Sequence, residues 1–395
     1  MFFQKKINKT PIVVDIGSNE IKVIKYNYDE KVNNIDIVGY GNFNTPKNCI
    51  LNGVIKESTP ISEAIRSAYI EARNKDDEED LVIGLSGIMI DIEKKVINIK
   101  RPKPESKIST KEWNAILEGI ESEMDKQEYK SNILHNIQME LFQSSIENIN
   151  IDDRKTFTPI GEIGREISID LFNAYYPEEN AIMLSKISED LNMPIEAIFH
   201  SSYGVGQILI DNHPKNNPSM ILVDIGSTHT DVTILNEGSI DKVRSFSIGG
   251  DVFTAKLSKE LEVSFDEAEV LKKEYSDAKL PKKITEKITD MLKSERELLL
   301  EGINIVLNDL PPTYILPDHI VLFGGGSLLL GIKEMVEYSN WYKKMKFTQR
   351  PKVSIFYPKI LSHIIDNTNR DINTPSITPL LGLIHLEISK NRFKY

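Results

Sequence analysis

Short apolar runs alternate with polar turns and amphipathic stretches along most of this chain. The runs Pro11 to Val14 and Ile21 to Tyr26 predict two neighbouring strands, and ragged apolar alternation to about Ile55 predicts further sheet. Thr59 and Pro60 are typical of the N-cap and first residue of a helix. One apolar face of that helix comprises Ile61, Ala64, Ile65, Ala68 and Tyr69.

The acidic run KDDEED at 75–80 marks a predicted domain boundary. After it, 81–87 and 94–100 have the pattern of strands, and Ser109 with Glu112 forms a predicted capping box. The helix that follows carries an apolar stripe of Trp113, Ile116, Leu117, Ile120 and Met124. We therefore predict a small α+β module that is inserted into a larger domain.

The rest of the chain alternates helices and strands, as α/β folds do. Helices are predicted around 181–191 and over 195–211, and a Lys/Glu-rich, mainly helical stretch ends near Asn308. A buried strand follows in HIVLFGGGS, 319–327. A final core helix is predicted from the helical spacing of Leu380, Leu381, Ile384 and Ile388.

One turn occurs twice. IVVDIGSNEIKVIKY, 12–26, and ILVDIGSTHTDVTIL, 221–235, both place Asp-Ile-Gly-Ser after an apolar strand. Small residues in such a turn leave backbone N–H groups free to bind phosphate oxygens. The carboxylates of Asp15 and Asp224 would reach phosphate only through Mg²⁺ and its waters. A single copy is more often a structural hairpin, but two copies predict two similar lobes that hold a nucleotide's phosphates between them.

Two further stretches support a nucleotide site. VLFGGGSLLLGI, 321–332, places three glycines after a strand, where backbone can approach a ligand closely. It is neither a P-loop nor the spaced dinucleotide fingerprint. In SFDEAEVLKKEY, 264–275, a capping box precedes Glu269 and Lys272 on one helical face. That pair is either a surface salt bridge or a pair of side chains that binds the ribose and base.

Composition narrows the function classes. With 395 residues, 40% hydrophobic and 27% charged, the chain has the composition of a globular protein with two or more domains. The net charge of −11 argues against a general nucleic-acid binder. One cysteine, Cys49, and no apolar run near the roughly 20 residues of a bilayer span indicate a cytoplasmic protein. The N-terminal MFFQKKINK is either a frayed end or a weak membrane foot of Phe2 and Phe3 with lysines.

The four elements, in this order, resemble the phosphate and adenosine motifs of the actin-like ATPase superfamily. Within it the chain is most similar to the FtsA cell-division family. The segments that carry this similarity are NGVIKESTPISEAIRSAYIEAR (52–73), VIGLSGIMI (82–90), TPIGEIG (158–164), HSSYGVGQIL (200–209), IGGDVFTAKLSKEL (248–261) and DEAEVLK (266–272).

The resemblance implies an α/β fold of two RNase H-like lobes with an inserted SHS2-type subdomain, called 1C. By analogy the chain divides into subdomain 1A (10–79, 166–215 and 374–395), 1C (80–165), 2A (216–248 and 312–373) and 2B (249–311).

The resemblance also implies a site for ATP and Mg²⁺. Asp15 and Asp224 would hold the metal through water and serve any hydrolysis. The residues that match the family's nucleotide-binding positions are Asp15, Gly17, Ser18, Asn19, Lys22, Asp224, Gly226, Ser227, Thr228, His229, Gly249, Gly250, Glu269, Lys272, Gly324, Gly325, Gly326 and Ser327. The implied protein forms filaments, binds the C-terminal peptide of FtsZ and other divisome proteins, and attaches peripherally to the inner face of the membrane.

Three departures qualify this resemblance. Active relatives usually have Asp-x-Gly-Gly-Gly-Thr at the second turn, whereas Ser227, Thr228 and His229 follow Gly226 here. No residue clearly positions the attacking water, since neither His200 nor Gln207 nearby matches the family pattern, so hydrolysis is expected to be weak or absent. The usual C-terminal amphipathic helix is also missing.

Two other functions stay open at this stage. The missing tail favours a docking protein like PilM of type IV pilus systems, which shares the superfold and a 1C-like insertion. A small-molecule kinase of the same superfamily is a third alternative. It would need an acidic base facing a sugar pocket, and no such motif is present.

Overall fold

The computed structural model describes residues 11–72, 79–125, 128–131, 137–213, 217–370 and 372–390. Its strands are β1 (Ile12–Ile16), β2 (Glu20–Asp29), β3 (Asn34–Asn44), β4 (Ile50–Leu51), β5 (Val54–Ile55), β6 (Leu81–Leu85), β7 (Asp91–Lys100), β8 (Tyr129–Ser131), β9 (Ile137–Ile151), β10 (Arg154–Thr156), β11 (Glu166–Pro177), β12 (Ile195–His200), β13 (Met220–Ile225), β14 (Thr230–Asn236), β15 (Ser239–Phe246), β16 (His319–Phe323), β17 (Lys352–Ile355) and β18 (Ile364–Asp366).

The helices carry the same chain-order numbering. They are α1 (Ser58–Ala72), α2 (Thr110–Asp125), α3 (Glu178–Leu191), α4 (Ser201–Asn212), α5 (Gly250–Leu261), α6 (Phe265–Ser276), α7 (Lys282–Met291), α8 (Lys293–Asn308), α9 (Ile332–Tyr338) and α10 (Thr378–Lys390). The predicted N-terminal membrane foot and most of the acidic run at 75–80 lie outside the described residues.

Two mixed sheets repeat one topology. The first has the strand order β12-β6-β1-β2-β3-β18, and the second has the order β15-β14-β13-β16-β17. In each, a central strand, β1 or β13, runs antiparallel to the next strand of the chain and parallel to a later one, β6 or β16. The two Asp-Ile-Gly-Ser turns therefore occupy equivalent places, at the end of each central strand.

In the first lobe, helices pack on the sheet and closely against each other. The stripe predicted for α1 is buried at Ile61, Ala64, Ile65 and Ala68. Helices α4 and α10 cross at Gly204 and Gly382, where a Cβ on Gly382 would lie 2.5 Å from the carbonyl carbon of Gly204. This contact buries the predicted apolar face of α10, at Leu380, Leu381, Ile384 and Ile388.

The second lobe combines its sheet with the helical segment α5 to α8. These helices share a core with the sheet that includes Phe253, Leu257, Tyr275, Leu299 and Ile303. No helix in the described part of the chain is long and apolar enough to cross a membrane.

A separate small sheet forms the inserted unit. It has the order β10-β9-β11-β7, with β8 added on β9, and α2 packs on it through Trp113, Leu117, Ile120 and Met124. The Ser109 hydroxyl accepts from the N–H of Glu112, as a capping box requires, but the Glu112 carboxylate accepts from Arg101 at 2.8 and 2.9 Å. Arg101 thereby ties the start of α2 to the end of β7.

Strand pairing corrects both sequence-based limits of the insertion. Leu81–Leu85, predicted to lie inside it, pairs parallel with β1 in the first sheet. Glu166–Pro177, predicted to belong to the larger domain, pairs with β7 and β9 in the inserted sheet. The insertion is therefore the chain between the end of β6 and the end of β11, rather than 80–165. Apolar periodicity identified these strands but carried no information about their partners.

A second correction concerns the helix predicted over 195–211. Its first part, Ile195–His200, is strand β12, which runs parallel to β6 at the edge of the first sheet. The helix begins only at Ser201. The run is too short for periodicity to separate a buried strand from a buried helix.

Candidate functional site

The two repeated turns contact each other across the cleft between the lobes. The Thr228 hydroxyl, in the turn after β13, donates to the Ser18 hydroxyl, in the turn after β1, at 3.0 Å. The predicted meeting of the two turns is therefore present in the fold. The first turn is also supported from β3, since the Thr45 N–H and hydroxyl donate to the carbonyls of Asn19 and Gly17. The Asn19 side chain itself is exposed.

Asp15 is the second-last residue of strand β1, and its side chain is buried among polar groups. Its carboxylate lies 3.8 Å from the Lys22 ammonium and accepts from the Ser201 hydroxyl at 3.4 Å. Burial raises the pKa of Asp15, and the positive charge of Lys22 opposes that rise. Lys22 is shared, because the same ammonium lies 3.6 Å from Glu20.

Asp224 occupies the equivalent place at the end of β13. Burial raises its pKa well above the ordinary value, and the negative charges of Asp231 and Asp15 raise it further. Asp231 accepts from Ser202 at 3.0 Å and from Ser245 at 2.5 Å. Three carboxylates thus lie near the cleft floor, where a bound cation would be stabilised electrostatically.

The second turn bears side chains that link the two lobes. The Thr228 hydroxyl lies 3.2 Å from Nδ1 of His229, and Nε2 of His229 lies 3.1 Å from the Ser86 hydroxyl in the loop after β6. Ser18, Thr228, His229 and Ser86 therefore form a continuous hydrogen-bonded chain, which we call the side-chain bridge. It joins both turns and both lobes without any ligand.

The backbone of the second turn is fixed by the start of α5. The N–H groups of Gly250 and Asp251 donate to the carbonyls of Gly226 and Ser227, both at 2.8 Å. A Cβ on Gly249 would lie 2.5 Å from the Ser227 oxygen, so this crossing requires glycine. In the described part of the chain, the N–H groups of Ser227, Thr228 and His229 have no acceptor.

The glycine loop after β16 lies directly against Asp224. Gly324 has φ +78°, and a Cβ there would lie 2.2 Å from Oδ1 of Asp224. Both facts demand glycine at this position. Gly326 packs on Ile225, the Ser327 hydroxyl is buried and donates to the Gly324 carbonyl, and Gly325 faces open space. The sequence prediction that this loop belongs to the same site is consistent with the geometry.

Glu269 and Lys272 lie beside the second turn. Their charged groups are 2.6 Å apart, and Lys272 also donates to the Gly250 carbonyl at 3.1 Å and to the Thr254 hydroxyl at 2.7 Å. The two side chains are only 17% and 12% exposed, so this is not an ordinary surface pair. Burial opposes ionisation of Glu269, but Lys272 and Thr254 together keep its pKa below the usual value.

An exposed ion pair also connects the two lobes. Lys47, after β3, lies 3.1 Å from Asp266 at the start of α6. Both side chains are more than three-quarters exposed, so the pair is weak and sensitive to salt.

The two residues considered for positioning water have other roles. His200 caps α4 by accepting from the Tyr203 N–H, and burial lowers its pKa. The Gln207 amide donates to Glu147 of the inserted sheet at 2.9 Å, so it faces away from the turns. His200 lies near Asp231 and His229, whose charges affect its pKa, but it is engaged as the cap of α4.

The donor set fits a hydrated cation better than a directly ligated one. Among the described residues, no group of three or more His, Cys, Asp or Glu side chains gathers as a metal site. The positive charge of Lys22 lowers the pKa of both Asp15 and Asp224, against the larger effect of burial. Mg²⁺ keeps several waters and often uses one or two carboxylates together with phosphate oxygens. The residues present therefore fit Mg²⁺ held through water.

Several residues at the site were missed by sequence reasoning. Ser86, Ser201, Ser202, Asp231 and Thr254 contribute hydroxyl or carboxylate groups around the turns. The adjacent serines at 201–202 are visible in the sequence as small polar residues. Nothing in the sequence showed that α4 begins there, with one serine against Asp15 and the other against Asp231.

The family model and the curated relatives that resemble this chain carry the same description, FtsA. The family model described as cell division protein FtsA matches residues 221–382. FtsA of Neisseria meningitidis is 25% identical over 224 residues, which are 51% of this chain and 50% of that protein. FtsA of Enterococcus faecalis is 20% identical over 350 residues, 82% of this chain and 75% of that protein. The match thus spans about half the length of the Neisseria protein.

A solved structure extends the comparison to nearly the whole fold. A chain of the PilM–PilN type IV pilus biogenesis complex superposes with a TM-score of 0.67, covering 96% of this chain and 98% of that one, at 15% identity. At that identity the likeness concerns the fold alone. The matched family model and these relatives support an FtsA-like protein, and the duplicated sheets with the superposed structure support the actin-like ATPase fold.

Proposed function

We propose that the chain binds ATP with Mg²⁺ in the cleft between its lobes. The observation that carries this proposal is the direct contact of the two repeated turns, with Asp15 and Asp224 at their bases. The phosphates would lie against the N–H groups of Ser227, Thr228 and His229, which have no acceptor in the described part of the chain.

The remaining predicted residues would place the nucleoside. Gly324 to Ser327 present bare backbone and one small hydroxyl beside Asp224. Glu269 and Lys272 lie beside Gly250 at the same end of the cleft, and would exchange part of their mutual contact for the ribose and base. Asp15 and Asp224 would orient the waters of Mg²⁺, which supplies positive charge to the phosphates.

Hydrolysis is proposed to be weak or absent. A vigorous ATPase needs a group that orients or deprotonates water near the terminal phosphate. His200 and Gln207 are engaged by α4 and by Glu147. The side-chain bridge also occupies the space between the turns, where active relatives have bare glycine backbone.

We further propose that the protein acts in cell division, by forming filaments and linking FtsZ to the cytoplasmic face of the membrane. The match to the FtsA model and the similarity to FtsA of Neisseria and Enterococcus support this role. Partners would then include the C-terminal peptide of FtsZ, other divisome proteins and further copies of the chain.

The decisive experiment is a binding titration with two peptides. The labelled C-terminal FtsZ peptide of the same organism is titrated with Mg·ATP present, in parallel with the N-terminal peptide of any pilus membrane partner that the organism encodes. Specific FtsZ binding is expected. Binding of the pilus peptide alone would overturn the division role.

Nucleotide dependence separates the two parts of the proposal. Asp224→Asn should lose Mg·ATP binding, whereas Asp290→Asn, at an exposed position on α7, should keep it. If Asp224→Asn binds Mg·ATP as tightly as the parent, the proposed metal role is wrong even when FtsZ still binds.

A PilM-like docking function is the second candidate. The observation that favours it is the PilM–PilN chain, which superposes over nearly the whole length of both proteins. In that case ATP would act as a structural ligand, and the FtsZ peptide would not bind.

A further inference from the structure

A strongly basic segment lies on the outer edge of the second lobe of this acidic protein. Within 332–352 there are six cationic residues, Lys333, Lys343, Lys344, Lys346, Arg350 and Lys352, but only two acidic ones, Glu334 and Glu337. The whole chain carries a net charge of −11. The segment runs from α9 to β17, the edge strand of the second sheet.

An aromatic framework holds this segment in place. Phe347 packs edge-to-face with Trp341 at 5.7 Å and with Tyr342 at 6.4 Å between ring centroids. The Trp341 indole N–H donates to the Val336 carbonyl at 2.8 Å. The backbone of Leu316 pairs with Lys346 and Thr348. The cations therefore project from an ordered surface.

The cations of this surface are solvent-exposed and lack carboxylate partners. Lys343, Lys344, Lys346, Arg350 and Lys352 are all exposed. None of them forms an ion pair with any residue that the structure describes. Arg350 instead lies 5.8 Å from the ring centroid of Tyr338. A neighbouring carboxylate, that of Asp318, accepts from the Thr348 hydroxyl at 2.8 Å.

Apolar groups are exposed beside the charges. Tyr338 is 64% exposed and Ile315, next to Leu316, is 59% exposed. Trp341 and Tyr342 are half-buried, so part of each ring also reaches the surface. We call this set of aromatic, aliphatic and cationic side chains the basic edge.

The chemistry of the basic edge favours a lipid surface over a specific acidic peptide. Four of its five exposed cations are lysines, whose compact ammonium groups suit diffuse negative charge, whereas paired recognition of carboxylates favours arginine forks. Amphipathic tyrosine and tryptophan rings are suited to the headgroup level of a bilayer. Clusters of about four to eight lysines and arginines are typical of contacts with anionic lipids.

We infer that the basic edge binds the surface of an anionic membrane. Lys343, Lys344, Lys346 and Lys352 contact lipid headgroups, and Tyr338 with Ile315 enters the interface between headgroups and acyl chains. The inference rests on the proposed membrane-tethering function for its biological role, but its test needs neither FtsZ nor nucleotide.

The test is flotation of the full chain with vesicles. Vesicles of phosphatidylcholine with about one-third phosphatidylglycerol are compared with phosphatidylcholine alone, over about 50 to 500 mM salt. Binding to the anionic vesicles, lost at high salt, is expected. The variant K343Q/K344Q/K346Q/K352Q should weaken that binding at least about tenfold.

A matched control removes the same charge elsewhere. The variant K259Q/K282Q/K283Q/K287Q changes four exposed lysines on α5 and α7. It should float as the parent does, and circular dichroism checks that both variants fold. If both variants lost vesicle binding equally, binding would depend on net charge rather than on the basic edge, and the inference would be overturned.

Two other outcomes also contradict it. Unchanged flotation of the basic-edge variant would assign membrane binding to another segment, such as the N-terminal residues that all variants retain. The second is that the parent does not float, while the basic-edge variant sediments differently from the parent without lipid. That result would make the surface a contact between copies of the chain. FtsZ-peptide binding, measured on the same proteins, shows independently whether the tethering function itself fails.

Discussion

Single residues at the cleft floor are placed for charge rather than for stability. Asp15 is buried and Asp224 is half-buried near it, and the pKa of each is raised above its ordinary value. An isolated buried carboxylate destabilises the folded state unless a cation or hydrogen bonds compensate. The protein therefore keeps an unfavourable arrangement in the place where a hydrated cation would relieve it.

Asp224→Asn should stabilise the free protein. The folded pKa of Asp224 is raised, so its contribution to stability is complete below its ordinary pKa of about 3.9 and is lost as pH rises through the folded value. The asparagine stays neutral, so the variant should unfold at a temperature higher by about 1–2 °C near neutral pH for a gain near 1 kcal/mol. Scanning calorimetry across pH measures this difference, which should shrink toward acid.

The control for this prediction is Asp290→Asn, which removes an exposed carboxylate. It should leave the unfolding temperature almost unchanged at every pH. A lower unfolding temperature for Asp224→Asn would show that hydrogen bonds to the carboxylate outweigh its desolvation.

At the scale of an element, the second turn combines the backbone proposed to bind phosphate with side chains that form the side-chain bridge. Thr228 contacts Ser18 and His229, and His229 contacts Ser86. The turn thus closes the cleft with hydrogen bonds that a nucleotide would have to replace. The same contacts are the reason why we expect slow turnover.

The double variant S227G/T228G should therefore release phosphate from Mg·ATP faster than the parent. Glycines would remove the Thr228 hydroxyl from the side-chain bridge and expose backbone N–H groups to the terminal phosphate. The rate should rise by at least about tenfold, the effect of roughly 1.4 kcal/mol on a barrier. A phosphate-release assay with Ser86→Ala as a second bridge variant measures this. An unchanged rate would mean that the missing water-positioning group alone limits turnover.

The crossing of α4 and α10 is a second element with a sharp requirement. A Cβ on Gly382 would meet backbone of Gly204 and Val205 at 2.5 Å, and these atoms cannot rotate away. Gly382→Ala should cost about 1–3 kcal/mol, as overpacked cores do. Chemical denaturation measures the loss.

Gly119→Ala provides the matched control, because a Cβ added at Gly119 in helix α2 would have no atom within 4 Å. There alanine should stabilise by about 0.5–1 kcal/mol. Equal effects at 382 and 119 would contradict the close-packing account.

At the scale of the whole molecule, one carboxylate joins three parts of the fold. Glu147 of β9 accepts from Gln207 of α4 at 2.9 Å and from the Ile240 N–H of β15 at 2.9 Å. Ser239 of β15 also donates to it, at 3.3 Å. Glu147 is therefore one of the groups that attach the inserted sheet to both lobes, together with Gln143, which accepts from the His200 N–H, and Lys94, which pairs with Asp241.

Glu147→Gln should loosen this attachment. The amide presents a donor where the carboxylate accepted, so at least one N–H or hydroxyl loses its partner, at a cost of about 1–3 kcal/mol. Hydrogen exchange should accelerate in β15 and in the facing part of β9. Glu118→Gln, exposed on α2 of the same inserted unit, should leave both strands unchanged.

Sequence alone determined much of the local structure and identified the two turns that contact each other. The repeated Asp-Ile-Gly-Ser turns, the glycine loop and the amphipathic faces of α1, α2 and α10 depend on neighbours in the chain, and the fold agrees with them. Positions where a side chain would clash, such as 324, are also visible in the sequence because they are occupied by glycine.

Only the tertiary structure decided which strands pair, where the inserted unit begins and ends, and which side chains complete the site. Leu81–Leu85, which is β6, pairs with β1 along one edge and with Ile195–His200 along the other, and in both cases the partners are distant in sequence. Ser201, Thr228 and Ser86 likewise contact residues distant in sequence, namely Asp15, Ser18 and His229. Periodicity reports which face of an element is apolar, whereas pairing depends on long-range contacts that no local pattern encodes.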